Sequence, residues 1–134
     1  MSAYFEESDV VSTYSRVQAI EDGVLVDVSA TARQAGVRFP CALSAGAWAT
    51  CVAWSEADSD AQGIPQDEQG RLWDVLTMFA LAARKADGPE LQFGVLCIPC
   101  DGKSQRARLT QLWASIGPGD DPAPVITIML PGED

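Results

Sequence analysis

The sequence contains no histidine. That removes Ser-His-Asp and Cys-His nucleophilic sites, and with them the commonest metal ligand. Positive charge is also scarce: 9 Lys and Arg stand against 19 Asp and Glu, for a formal net charge of −10. A surface of that sign repels phosphate backbones, so direct nucleic-acid binding is disfavoured, whereas a basic protein partner suits it. No stretch approaches the roughly 18 apolar residues that a membrane span needs. Residues 1–9 lack the positive and apolar regions of a secretion signal. The expectation is therefore a cytoplasmic protein without membrane contact. Its four cysteines are then reduced, and serve as small core residues or ligands. A phosphate-binding glycine loop is missing as well, because Gly117-Pro118-Gly119 leads into Asp120 and Asp121 and not into lysine. Gly-x-Ser-x-Gly and His-Glu-x-x-His do not occur. Carboxylates alone can catalyse, but no pair of them stands out from the acidic background. The reading is a protein without enzymatic activity or cofactor.

What is present is an ordinary globular composition, 47% hydrophobic and 21% charged over 134 residues. That length and balance fit one domain over residues 1–134, with residues 1–13 loosely attached. The organising stretch is residues 67–86. Leu72, Val75, Leu76, Phe79 and Ala83 recur at three- and four-residue steps and stack on one side of a helix, with Trp73 and Met78 widening the stripe. Asp67 can cap the first turn, and Gly88-Pro89 ends the run. A helix of about 20 residues would be about 30 Å long, enough to cross the domain.

Ser15 and Gln18 form a capping-box pattern for a short helix that stops at Gly23. Residues 24–28 read as a strand in which Asp27 is the odd member. Ser29 is expected to cap residues 30–35. Ser44 is expected to cap a helix whose inner face holds Ala47, Trp48, Cys51 and Val52. Residues 55–66 are polar and turn-rich, and read as a surface loop. After the long helix the periodicity changes: residues 91–98, 106–116 and 125–130 read as three strands joined by short links. The expected fold is α+β. Helices in the N-terminal two-thirds pack on a C-terminal three-stranded antiparallel sheet, which one N-terminal strand can join.

Cys97-Ile98-Pro99-Cys100 has the spacing of half a zinc site or a redox couple, and Cys41 and Cys51 could supply two more thiolates. Against zinc, residues 41 and 51 are not spaced as a second knuckle. Against redox chemistry, such pairs open a helix, whereas this one falls at a hairpin rim. The bland alternative places Cys97 in the sheet core and Cys100 in the turn. Of the four tryptophans, Trp48 and Trp73 fall on predicted inner faces, Trp113 lies between sheet and helix, and Trp54 is the candidate anchor at an interface. Glu56, Asp58, Asp60, Asp67 and Glu68, with Asp120 and Asp121, are the candidate partner-binding carboxylates. Spaced along a surface, such groups can imitate duplex phosphates and occupy a basic groove meant for nucleic acid. Their steering fades as the Debye length shrinks toward about 8 Å at physiological salt. The competing reading is a merely solvating acidic face.

Three blocks carry a resemblance: Tyr14-Ser-Arg-Val-Gln-Ala-Ile-Glu-Asp-Gly-Val-Leu-Val-Asp-Val-Ser29, Asp67-Glu-Gln-Gly-Arg-Leu-Trp-Asp-Val-Leu76 and Pro124-Val-Ile-Thr-Ile-Met-Leu-Pro-Gly-Glu-Asp134. Through them the chain resembles a family of small bacterial proteins carried on plasmids and integrative conjugative elements. The resemblance implies a genomic setting and assigns no catalytic or binding residue. Members usually lack the Cys97–Cys100 pair, which weakens the metal reading. Small acidic proteins of mobile elements often disarm host defences. The expectation is thus a protein-binding inhibitor of a CRISPR effector or restriction enzyme, acting by nucleic-acid mimicry. The alternatives are an accessory protein of conjugation or element maintenance, and a zinc-binding module through its cysteines.

Overall fold

The computed structural model describes residues 15–133, so the expectation for residues 1–13 lies outside the described residues. In chain order the elements are α1 (Arg16–Glu21), β1 (Leu25–Asp27), α2 (Ser29–Gln34), β2 (Cys41–Ser44), α3 (Ala45–Cys51), α4 (Glu56–Gln62), α5 (Glu68–Ala83), β3 (Glu90–Cys97), β4 (Arg108–Pro118) and β5 (Pro124–Met129). The strands form one sheet in the order β1-β2-β5-β4-β3. This α+β arrangement corrects the expected three-stranded antiparallel sheet. The C-terminal meander does form, with β3–β4 and β4–β5 antiparallel. β2 then adds to β5 in parallel and β1 to β2 antiparallel, giving a mixed five-stranded sheet with strands interleaved among the helices. The reason is local. Cys41, Ala42 and Leu43 are all buried, so β2 has no alternation, and its four residues run straight into the helix capped by Ser44.

One face of the sheet carries the core. Cys41, Leu43, Phe93, Val95, Leu112 and Ile128 point to it, and α2, α3 and α5 cover them with Ala32, Ala47, Cys51, Leu72, Val75, Leu76 and Phe79. Phe79 and Phe93 meet edge to face at 5.8 Å between ring centroids. Within α5 the predicted stripe is inside, and the Asp67 carboxylate caps the helix by accepting from Gly70 N at 2.6 Å. Trp73 and Met78 depart from expectation: they are 41% and 39% exposed, outside the buried stripe. Helix α1 lies against the other face. Thr127 stands between the core-facing Ile126 and Ile128 and so points away from the core; Arg16 Nη1 donates to its hydroxyl at 2.7 Å.

Two local expectations are corrected. Ser29 is not the cap of α2, which starts after Val28 without a side-chain cap; its hydroxyl donates to Asp27 and accepts from Cys41 N, clipping β1 to β2. Residues 55–66 are not a loop, because Glu56–Gln62 is helix. None of the described helices is long and apolar enough to cross a membrane.

Candidate functional site

Helix α4 has almost no apolar side chains, yet its ends are strongly specified. Ser55 accepts from Asp58 N at 3.1 Å while Asp58 accepts from Ser55 N at 2.8 Å, a reciprocal capping box. The Ser55 N–H and, at 2.9 Å, the Ser55 hydroxyl both donate to the Asp58 carboxyl and hold it below the usual carboxylate range. Gly63 closes the helix at φ 70°, a left-handed exit that favours glycine. At this last turn Gln62 is buried and reaches the β3–β4 connection. Its amide donates to Pro99 O at 3.0 Å and Ser104 O at 2.6 Å, and its oxygen accepts from Gly102 N at 3.1 Å. A seven-residue polar helix is thereby pinned at both ends.

Arg71 is the pivot beneath it. Only 5% exposed, it donates from Nε to Val52 O and from Nη1 to Gln66 Oε1 and Ile98 O, each at 3.0 Å. Its guanidinium lies 4.8 Å from the centroid of a Trp54 ring, and the indole N–H donates to Ser59 Oγ at 2.7 Å. Trp54 is therefore buried, at 6% exposure, which removes its reading as an exposed anchor. It is the floor on which α4 rests. The backbone N–H of Trp54 donates to Glu68 at 3.1 Å, joining the segment that leads into α4 to the first turn of α5. Sequence reasoning missed Arg71 and Gln62. Arg71 did leave a signal, since it stands four and eight residues before the core positions Val75 and Phe79 and so falls on the apolar stripe.

The seven candidate carboxylates do not form one group. Glu56, Asp58 and Asp60 belong to α4, and Asp67 and Glu68 to the start of α5. Glu56 and Asp60 are exposed, whereas Asp58, Asp67 and Glu68 also accept the bonds described above. Asp120 and Asp121 lie elsewhere. Asp120 accepts from Arg16 N at 2.7 Å and Val17 N at 3.2 Å, capping α1, and Asp121 accepts from Ala123 N in the β4–β5 turn. That turn and the β3–β4 connection, to which Gln62 of α4 is bonded, sit at opposite ends of β4, whose eleven residues span about 33 Å at the usual rise per residue. The five from Glu56 to Glu68 share one stretch of chain, here called the ridge: α4 and the start of α5, joined by the Trp54–Glu68 bond.

The cysteines arrange themselves differently from their spacing. Cys97 faces Cys51 across the core, and the hydrogen bond from the Cys51 thiol, with smaller help from the Thr110 hydroxyl and Arg71, holds the Cys97 thiol low while that of Cys51 is pushed up. Cys100 is exposed as a residue; partial desolvation of its sulfur and the neighbouring Asp58 carboxylate raise its thiol. Burial also pushes Cys41 up to about 12. No group of three or more His, Cys, Asp or Glu suited to a metal occurs among the described residues.

One family model matches the chain over residues 1–134, that of a family of unknown function (DUF6573). No curated protein and no solved structure matches it.

Proposed function

We propose, from the premise that the chain belongs to this family of unknown function (DUF6573), that it works without catalysis by gripping a basic surface of another protein. The observation that carries the reading is the ridge. Residues 55–70 hold five carboxylates and no Lys or Arg, and the caps and the Trp54–Arg71 floor fix the backbone that carries them. A backbone already ordered loses little conformational entropy on binding, which favours the use of its charges against a complementary basic groove. The resemblance to proteins of plasmids and conjugative elements supplies the partner class: a cytoplasmic host-defence effector that binds nucleic acid, such as a CRISPR effector or restriction enzyme. Glu56 and Asp60 provide the freest charges, Asp58, Asp67 and Glu68 extend the row, and Asp120 and Asp121 take no part.

The test is calorimetric titration of the protein into such a purified effector. The double variant E56K/D60K reverses charge at two exposed positions and is expected to weaken binding roughly tenfold or more, about 1.4 kcal/mol. Undiminished binding by the variant would remove the ridge from the interface. Retrieval of transfer or replication proteins, with no affinity for defence effectors, would favour the accessory role in conjugation.

A further inference from the structure

The sheet has two outer strands that differ in how their edges are protected. β1 is only three residues long and ends on exposed Asp27. Short, charged edges resist pairing with other chains. β3 is eight residues long, and from Leu91 to Cys97 it contains no charge and no proline. On its outward side it pairs with no strand among the described residues. Beside that edge lies a groove of about 500 Å³, lined on the α5 side by Trp73, Asp74, Thr77 and Met78, and on the sheet side by Leu96 and Leu109 among others.

The groove has two unlike sides. Phe93, Val95 and Cys97 point to the core, so Leu96 and its cross-strand partner Leu109 point to the opposite face, where they are 63% and 64% exposed. Gly94 keeps this row low: a Cβ there would come within 2.8 Å of Leu109 Cδ1. On the α5 side Trp73 and Met78 are also partly exposed, and between them sit two polar groups. Among the described residues, Asp74 is the one charged residue lining the groove. Thr77 follows it by three positions, on the same side of the helix, and its Oγ1 is buried without a hydrogen-bond partner among the described residues.

We propose that the β3 edge takes an extended strand from a partner protein, with apolar side chains on one face and a lysine or arginine on the other. Main-chain bonds to β3 would supply affinity, as in strand addition generally. Apolar side chains of the incoming strand would extend the Leu96–Leu109 row. On its other face a basic side chain would lay its stem across Trp73 and Met78 and donate to Asp74. A second copy of this chain fits poorly, because it brings another net charge of −10 and an edge without a basic residue from 91 to 97. This surface is separate from the acidic ridge, and its test does not depend on effector binding.

The test uses the full chain and a fluorescein-labelled peptide of alternating valine and lysine, followed by fluorescence anisotropy and amide hydrogen exchange. Saturable binding is expected, with slowed exchange at residues 91–97. N-methylation of alternate peptide amides, which keeps charge and side chains, should weaken it at least about tenfold, as should D74K. Equal binding of the methylated peptide, binding without protection of β3, or no binding at all would overturn the proposal. So would sedimentation of the chain alone as a dimer with β3 already protected, which would make the occupant a second copy.

Discussion

Arg71 shows how one residue sets the shape of the ridge. It is almost fully buried, and every acceptor it reaches is neutral: two main-chain carbonyls and one amide oxygen. Its Nη2 has no hydrogen-bond partner among the described residues. Removing an unpaired buried charge relieves desolvation, but leaves Val52 O and Ile98 O without their donors and Trp54 without its cation. With two or three charge-assisted bonds at stake, the loss dominates. Arg71→Met is expected to destabilise the protein by about 2–4 kcal/mol in urea unfolding; a change below about 0.5 kcal/mol would refute that weighting. Asp101 gives a prediction in pH. The Ser104 hydroxyl and the N–H groups of Lys103 and Ser104 hold its carboxyl at about 2, against an ordinary 3.8. A depressed carboxyl stabilises the fold above its unfolded value and loses that contribution as pH falls through its folded value. Wild type should therefore lose stability between about pH 4 and pH 2 more steeply than Asp101→Asn. Parallel acid limbs would show that this turn does not contribute.

Among the elements, legibility in the sequence followed the kind of signal each one carries. α5 was readable because sixteen residues repeat an apolar stripe between a capping Asp67 and a Gly-Pro stop. The three C-terminal strands were readable from the change of periodicity after α5 and the short links between them. β2 was hidden because burial on both faces erases alternation, and a parallel neighbour far along the chain leaves no turn between the two strands. α4 was hidden for the opposite reason: a polar helix has no stripe, and its evidence lay in Ser55 and Asp58, three residues apart. The candidate site was legible only in part. The carboxylates of 56–68 were named, while the buried Arg71 and Gln62 that hold them, and the division from Asp120, depend on tertiary contacts. Because α4 rests on its caps, Ser55→Ala should cost about 1 kcal/mol and speed amide exchange in residues 56–62 selectively. Uniform exchange changes, or none, would contradict a cap-dependent helix.

For the whole molecule, the mixed sheet places the two proposed surfaces at different positions. Core helices cover one face, α1 crosses the other, the ridge stands at one end of β4, and the outer edge of β3 pairs with no strand among the described residues. The net charge of −10 acts over all of these, but long-range charge alone gives encounter and not a fixed pose. Nucleic-acid mimicry requires the ridge to compete for the same groove as DNA, and the ridge to weaken as salt screens it. The most direct measurement is a gel-shift competition in which a nucleic-acid-targeting defence effector is bound to its labelled DNA and titrated with this protein at two salt concentrations. Mimicry predicts release of DNA in proportion to added protein, less at the higher salt, and lost with E56K/D60K. DNA that stays bound while the protein joins the complex would contradict it.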